Sequence, residues 1–241
     1  MAYDIDKLPG FERYDLIDTE EFQSLDQSSI LGDETVLKNE VFDKAFEKIL
    51  EKHKPKNKAA FIALCTYSRP YSTSPKWKKY LKDFKNVDFL VGSNGGVIPE
   101  EFWEEALFLT YDAPQGGSKA EAWAKEARKL KDLEGSKRVL VKEEVDNLYK
   151  MKFYNRLIKF FKTFRYDYVI GDFVKTQRNF EPFILAMELL KDEGYIKYYD
   201  HCGILTDIYD EEERKNPGRS YPTLSHLYYN RLKEKIEKVT N

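Results

Sequence analysis

The sequence has few of the residues that usually form metal or cofactor sites. Its 241 residues include two cysteines, Cys65 and Cys202, and three histidines, and no Cys-x-x-Cys pair is present. A zinc site built from thiolates is therefore not expected. Neither a P-loop nor a Gly-x-Gly-x-x-Gly motif occurs, so the sequence implies no nucleotide cofactor. We predict that the protein uses no cofactor and no metal ion.

Long apolar segments are missing as well. No stretch approaches the roughly 18 consecutive apolar residues of a membrane span. The amino-terminal segment is acidic and lacks the apolar centre of a signal peptide. These absences predict a cytoplasmic protein with reduced thiols and no membrane contact.

The chain also lacks a large excess of charge of either sign. Its formal net charge is −2 and its pI is about 6.1, although charged residues make up 34% of the sequence. Any nucleic-acid binding would therefore depend on a local basic patch. Hydrophobic residues make up 41% and aromatic residues 15%, which indicates a folded chain rather than a disordered one.

Apolar runs alternate with amphipathic segments after the first 37 residues. The run Ala59–Cys65 is apolar throughout, which is typical of a strand buried on both faces of a parallel sheet. The predicted strands are Ala59–Cys65, Val87–Val91, Leu107–Tyr111, Tyr166–Ile170, Tyr195–Tyr199 and Gly203–Ile208. The predicted helices are Asn39–His53, Pro75–Phe84, a short one from Pro99, Ser118–Leu133, Glu143–Phe164, Phe180–Leu190 and Thr223–Val239. This alternation predicts an α/β fold with a mainly parallel sheet flanked by helices. We expect an amino-terminal arm over residues 1–37 and a single α/β domain of catalytic type over residues 38–241.

Polar loops follow three of these strands, after Cys65, Val91 and Tyr111. In open α/β sheets the carboxyl ends of the strands form the ligand crevice, so we expect the loops to converge on one ligand. The alternative is a set of ordinary polar connections. The residues predicted to bind substrate are Ser68, Arg69, Tyr71, Ser72, Ser74, Asn94, Gly95, Gly96 and Tyr111.

Each loop offers a different kind of contact. The backbone N–H groups of the glycine turn at residues 92–96 can receive an anion or the edge of a purine, although a plain turn also needs glycine. Arg69 suits a phosphate or a carboxylate, with a surface ion pair as the alternative. Tyr71 and Tyr111 suit stacking on a base, although aromatic residues are more often found in the core.

Two residues are candidates for the chemistry itself. Cys65 is the natural nucleophile, since a thiolate attacks carbonyls and nitriles well. A buried, unreactive thiol is the alternative. Asp112 is placed to orient an amine or to act as a base, although aspartate also caps turns.

Basic residues cluster on two predicted helices. They are the candidates for RNA binding, and a solvated helix face is the alternative. The residues are Lys76, Lys79, Lys152, Arg156 and Lys159.

The loop after the first strand resembles a known signature. Residues 65–74 read Cys-Thr-Tyr-Ser-Arg-Pro-Tyr-Ser-Thr-Ser and are similar to the catalytic module of the archaeosine synthases, which has Cys-Ser-x-x-Lys-Pro-Tyr, a serine and then Ser-His. Gly-Val-Ile-Pro-Glu at 96–100 and Tyr-Asp-Ala-Pro at 111–114 resemble two further elements of that family, in the same order. The resemblance covers about residues 59–117.

This resemblance implies a transferase that modifies archaeal transfer RNA. The substrate would be 7-cyano-7-deazaguanine in the D-loop, and an amine, with lysine as donor, would add to its nitrile. A partner radical enzyme would then release archaeosine, and a transglycosylase is a further implied partner. The signature maps onto Cys65, Arg69, Pro70, Tyr71, Ser74, Gly96, Pro99, Tyr111 and Asp112.

The sequence departs from the family at several positions. Thr66 replaces a serine, Arg69 replaces the lysine, and Lys76 and Trp77 stand where the family has Ser-His. The transglycosylase-like region and the RNA-binding PUA domain of the full-length enzymes are not recognisable. Two alternatives therefore stay open: a non-catalytic RNA-binding subunit of a modification complex, and a nucleobase hydrolase or glycosylase.

Overall fold

The computed structural model of the chain describes residues 13, 15–18, 20, 37–65, 70–110, 135–173, 177–201 and 226–240. The strands are β1 (Ala59–Leu64), β2 (Asp88–Ser93), β3 (Gly96–Pro99), β4 (Tyr168–Asp172) and β5 (Tyr198–His201). The helices are α1 (Glu40–Lys52), α2 (Pro75–Asp83), α3 (Ala106–Thr110), α4 (Gly135–Thr163), α5 (Phe180–Asp192) and α6 (His226–Thr240). Short 3-10 turns cover Tyr71–Thr73 and Glu100–Phe102.

The five strands form one sheet in the order β3-β2-β1-β4-β5. Strands β2, β1, β4 and β5 are parallel, and β3 runs antiparallel to β2. The apolar run at Ala59 is the central strand, and its first five residues are buried. The predicted α/β fold with a mainly parallel sheet is therefore confirmed.

The direction in which the sheet grows reverses beside β1. The chain passes from β1 to β2 on one side and later returns to β4 on the other side. In open α/β sheets, ligands bind outside the carboxyl ends of the strands at such a reversal. The fold therefore predicts that the ligand site lies in the crevice where β1 and β4 end.

Local sequence signals explain how the two helices next to β1 begin. Asn39 caps α1, because its side chain accepts a hydrogen bond from the Val41 N–H at 2.9 Å. Ser74 caps α2 in the same way, with 3.1 Å between its Oγ and the Trp77 nitrogen, and Pro75 occupies the first turn. Such caps satisfy N–H groups that have no partner within the helix.

Aromatic rings fill the space between β1 and α2. Phe61 of β1 makes edge contacts with rings of α2 and β2, at centroid distances from 5.0 to 6.2 Å. These edge-to-face arrangements are the favourable ones for aromatic pairs. The high aromatic content therefore serves the core beneath the crevice. The neighbours of Phe61 are Trp77, Tyr80, Phe84 and Phe89.

Two glycines let phenylalanine rings lie directly on the sheet near its carboxyl edge. A Cβ at Gly171 of β4 would lie 2.5 Å from Cζ of Phe183, and a Cβ at Gly92 of β2 would lie 3.0 Å from the Phe153 ring. These strand positions therefore exclude a side chain for reasons of space.

One predicted strand is wrong, and one strand was missed. Leu107–Tyr111 was expected to be extended, but Ala106–Thr110 is helical. Its short apolar run suits either state, because periodicity cannot separate a buried strand from a buried helical turn. Strand β3 lies inside the predicted turn at residues 92–99, where Asn94-Gly95 forms a two-residue hairpin connection.

Part of the predicted amino-terminal arm contacts the rest of the chain. Leu16 and Ile17 are buried, and the N–H groups of Asp15 and Leu16 donate to the Glu105 carboxylate at 2.9 and 3.2 Å. Burial is the main reason that the pKa of Glu105 is raised. The predicted helix at residues 118–133 and the predicted strand at 203–208 lie outside the described residues.

Candidate functional site

The carboxyl ends of the parallel strands bring several reactive side chains to one edge of the sheet. Cys65 directly follows β1, Asp172 ends β4 and His201 ends β5. The register places Asp172 beside Ala63, and His201 beside Gly171. Residues distant in the sequence therefore lie at the same end of the sheet, with Asp172 on the strand next to β1 and His201 one strand further out.

A buried carboxylate occupies the end of β4. The Asp172 side chain is fully buried, and its Oδ2 accepts a hydrogen bond from the Tyr80 hydroxyl at 3.0 Å. Lys76 Nζ lies 3.4 Å from the same oxygen. A buried charge needs such partners, because its removal from water is costly.

Lys76 links the ends of β1 and β4. Its Nζ donates to the Leu64 carbonyl oxygen at 3.2 Å as well as pairing with Asp172. The lysine side chain is 16% exposed, whereas the Asp172 side chain is fully buried. Among the described residues, Lys76 therefore presents an ammonium group that is oriented by a buried carboxylate.

Cys65 is the residue that follows the carbonyl contacted by Lys76. It is a half-buried cysteine, and its N–H donates to the Gly92 carbonyl at 3.4 Å, which continues the pairing with β2. The carbonyl that Lys76 contacts belongs to the peptide bond joining Leu64 to Cys65. Positive charge beside a thiol favours the thiolate, the form that acts as a nucleophile.

The predicted glycine turn is covered by arginines. Residues 93–96 are buried, and the Asn94 carbonyl accepts from Arg156 Nη1 at 2.6 Å while its side-chain oxygen accepts from Arg178 Nη2 at 3.0 Å. Gly96 has a φ of +124°, which L side chains rarely adopt. Turn geometry and hydrogen bonds within the protein therefore explain why Asn94, Gly95 and Gly96 occur at these positions. This agrees with the alternative that the segment is a plain turn.

Two of the three described substrate-binding candidates in the first loop have structural roles. Tyr71 is fully buried and packs edge-to-face on Trp103, with ring centroids 5.8 Å apart, so it belongs to the core. Ser74 is the cap of α2. Ser72 is half-buried in the turn between them.

The candidate RNA-binding residues of α4 pair with acidic residues of α1. Lys152 and Arg156 bind the two carboxylate oxygens of Asp43 at 2.9 and 2.7 Å, and Lys159 binds Glu47 at 2.5 Å. Burial opposes ionisation of Asp43, but the two hydrogen bonds prevail and lower its pKa. These cations therefore have partners within the protein.

The two candidates on α2 differ from each other. Lys79 Nζ lies 3.4 Å from the centre of the Tyr229 ring of α6, a cation–π contact that supports helix packing. Lys76 is the cation of the crevice instead. Lys76 and Lys79 therefore have different surroundings, although the sequence analysis names both as candidates for RNA binding.

Four predicted site residues lie outside the described residues: Ser68, Arg69, Tyr111 and Asp112. Their expected convergence with Cys65 stays a prediction. The sequence reasoning missed Asp172 and Tyr80. A signal for Asp172 is present in the sequence, because it is a polar residue at the end of a buried strand. Cys65 has a similar position, directly after a strand.

The described residues contain no group of three or more histidine, cysteine, aspartate or glutamate side chains suited to a metal ion. Nor, in the same part of the chain, does any helix have the length and apolarity needed to cross a membrane.

Comparisons with known proteins give little further information. No model of a known family matches the chain, and no curated protein matches it. Among solved structures, it is similar to the crystal structure of AF0587, a protein of unknown function, with 19% identity and a TM-score of 0.44. The match covers 80% of this chain and 49% of the other, so the chain spans about half of that protein's length. A likeness at this level supports no conclusion about function.

Proposed function

We propose that the protein is a transferase that modifies a deazaguanine base in transfer RNA. It would add an amine, with lysine as donor, to the nitrile of 7-cyano-7-deazaguanine, as the resemblance to the archaeosine synthases implies. The observation that supports this most is the position of Cys65, a half-buried cysteine at the carboxyl end of the central strand and beside the reversal point of the sheet.

A thiol is suited to this reaction because a nitrile carbon is an electrophile. In the first step the Cys65 sulfur bonds to that carbon, one π bond of the nitrile breaks, and its nitrogen gains a proton, which gives a thioimidate. In the second step the donor amine attacks the same carbon, the carbon–sulfur bond breaks, and the thiol regains a proton from the amine. The product is an amidine, and no oxidant or reductant is consumed.

The alternative of a non-catalytic RNA-binding subunit gains less support from the described residues. That alternative relied on basic residues, and four of the five proposed cations contact acidic or aromatic side chains of neighbouring helices. As an enzyme of this kind, the protein would use transfer RNA and lysine as its partners in the cytoplasm. A radical enzyme would then act on the product.

The proposal is tested by mass spectrometry of transfer RNA that carries 7-cyano-7-deazaguanine. After incubation with the protein and lysine, we expect the modified nucleoside to gain the mass of one lysine. Cys65→Ala should abolish the gain, and Cys202→Ala is the matched control that should retain it. RNA binding with unchanged nucleoside mass would favour the non-catalytic subunit, and release of the free base would favour a glycosylase.

A further inference from the structure

The proposed reaction needs a proton at the nitrile nitrogen, and the described crevice holds one cation placed to supply it. The family resemblance offers no donor here, because Trp77 occupies the position of the family's histidine and is fully buried. The neighbouring residue, Lys76, faces the ends of β1 and β4 instead.

We propose that Lys76 is a further catalytic residue, the proton donor to the nitrile nitrogen, and that Asp172 and Tyr80 position it. This assignment rests on the proposed function. It follows from one arrangement: the ammonium group of a partly exposed lysine contacts the carbonyl that precedes Cys65 and pairs with a buried carboxylate.

Each contact of the cluster has a distinct part in this arrangement. Tyr80 donates to Asp172 Oδ2 at 3.0 Å and thereby fixes the carboxylate on which Lys76 rests, at 3.4 Å. The Leu64 carbonyl, 3.2 Å from Nζ, holds the ammonium group at the strand end that bears the thiol. A catalytic group oriented by a second group, which is itself oriented by a third, is the usual construction of such sites.

The protons balance within this cluster. As the Cys65 sulfur bonds to the nitrile carbon, the Lys76 ammonium gives one proton to the nitrile nitrogen. Cys65 attacks as the thiolate that this ammonium favours, so Lys76 stays neutral until the second step. The proton that the thiol then regains from the donor amine passes to the Lys76 amine, and the lysine returns to its charged form. Lysine can do this because its amine exchanges protons, whereas arginine stays charged in proteins.

The difference between lysine and arginine gives a test that separates catalysis from a structural ion pair. Two rates are measured for each variant: alkylation of Cys65 by iodoacetamide, followed on its peptide, and the single-turnover gain of lysine on the transfer RNA. Lys76→Met should slow alkylation on the order of tenfold, because it removes the nearby positive charge. Lys76→Arg should keep alkylation near the wild-type rate but lower the single-turnover rate about 100-fold, because the proton donor is lost.

Lys78→Met is the matched control, since Lys78 is an exposed lysine on the same helix. Both of its rates should equal those of the wild-type protein. Thermal unfolding of every variant shows whether the fold is retained. If Lys76→Arg restores both rates, Lys76 is only an ion-pair partner and the proposal is overturned. Alkylation in Lys76→Met equal to that in Lys78→Met would overturn it as well.

The two proposals can fail separately. If the wild-type protein adds no lysine to the RNA, the proposed function is wrong, and the alkylation rates still judge whether the Lys76 ammonium acts on Cys65. If the wild-type protein is active and Lys76→Arg is equally active, the proposed function stands and the role of Lys76 is wrong.

Discussion

The amino-terminal edge of the sheet is the end at which the parallel strands begin, and the carboxyl edge is the end at which they finish. Both edges bury charged groups, but the groups have different surroundings. At the amino-terminal edge, His53 lies between Glu101 and Tyr166, at 2.6 Å from Nδ1 and 2.8 Å from Nε2, and the Tyr166 hydroxyl donates to Asp88 at 3.0 Å. At the carboxyl edge, Asp172 accepts from Tyr80 and pairs with Lys76, whose Nζ also contacts the carbonyl before Cys65. The first cluster consists of protein groups bonded to one another, and the second ends in a lysine whose side chain is partly exposed.

The protonation of the amino-terminal cluster agrees with a structural role. Burial and then the neighbouring Asp88 carboxylate raise the pKa of Tyr166, so the phenol stays neutral and remains a donor. Burial opposes ionisation of Glu101, but the hydrogen bond from His53 prevails and lowers its pKa. A fully bonded buried network makes the fold specific. Stability should therefore depend on the amino-terminal edge and activity on the carboxyl edge.

The largest expected effect comes from making the same change at the two edges. Asp88 accepts hydrogen bonds from the Lys56 N–H, the Asn57 side chain and the Tyr166 hydroxyl, through both carboxylate oxygens. Asp88→Asn turns one oxygen into a donor and leaves a buried partner unsatisfied, which should lower the free energy of unfolding by about 3 kcal/mol. Activity per folded molecule should not change. Urea unfolding measures the first quantity and single-turnover lysine transfer the second.

Asp172→Asn provides the other half of this comparison. Tyr80 and Lys76 both contact Oδ2, and an asparagine oxygen can take its place. Asparagine cannot replace the negative charge, so Lys76 loses its anionic partner and we expect a stability loss of about 2 kcal/mol, less than at Asp88. Activity per folded molecule should fall on the order of tenfold, because the lysine is less well oriented. A large loss of stability with normal activity at Asp172 would reverse the assignment of the two edges.

These two clusters also show what a sequence can reveal. The central strand, the start of α2 and the expected ligand crevice follow from local signals: a continuous apolar run, Pro75 in a first helical turn, and the polar loop after Cys65. The strand order does not follow from such signals. Asp172 meets Lys76 only because β4 pairs with β1, and no spacing in the sequence indicates that pairing.

The site candidates that turn out to have contacts within the protein share a related cause. Lys152 and Arg156 were interpreted from one helix alone, whereas their partner Asp43 lies more than a hundred residues earlier on α1. Tyr71 was assigned to the ligand because it follows a strand, but tertiary packing places it against Trp103. Local sequence shows which side chains are available, and only the assembled fold shows what they contact.

The second prediction concerns the packing that supports the carboxyl edge. A Cβ at Gly171 would lie 2.5 and 2.6 Å from two ring carbons of Phe183, a fully buried side chain that packs on Phe173. Gly171→Ala should therefore cost about 2 kcal/mol of stability through overpacking. Gly194→Ala is the control: nothing lies within 4 Å of its Cβ, but its φ is +76°.

Chemical denaturation of both variants measures the comparison. Gly194→Ala should cost about 1 kcal/mol, from backbone strain alone. Adding Phe183→Leu should recover part of the loss in Gly171→Ala and none of the loss in Gly194→Ala, because only the first pair is in contact. Equal costs with no recovery would show that the rings at this edge are loosely packed.

The smallest expected effect lies away from both edges, at the ion pairs between α1 and α4. Because the pKa of Asp43 is lower in the folded protein, its pairing with Lys152 and Arg156 stabilises the fold above the unfolded pKa. That stabilisation is lost as the pH falls through the folded value. Asp43 is half exposed, so solvent screening limits the contribution to about 0.5 kcal/mol.

Asp43→Asn should therefore lower stability at pH 7, in low salt, and should match the wild-type protein once the pH is well below 4, where both side chains are uncharged. Glu47→Gln is the control, because the Glu47–Lys159 pair is exposed on both sides and should contribute less. Stability is followed by urea unfolding across this pH range. If Asp43→Asn were still less stable than the wild-type protein in acid, side-chain packing rather than charge would account for the contribution of Asp43 to the contact between α1 and α4. The activity should not change in either variant, since these pairs lie outside the crevice that the carboxyl ends of β1 and β4 form.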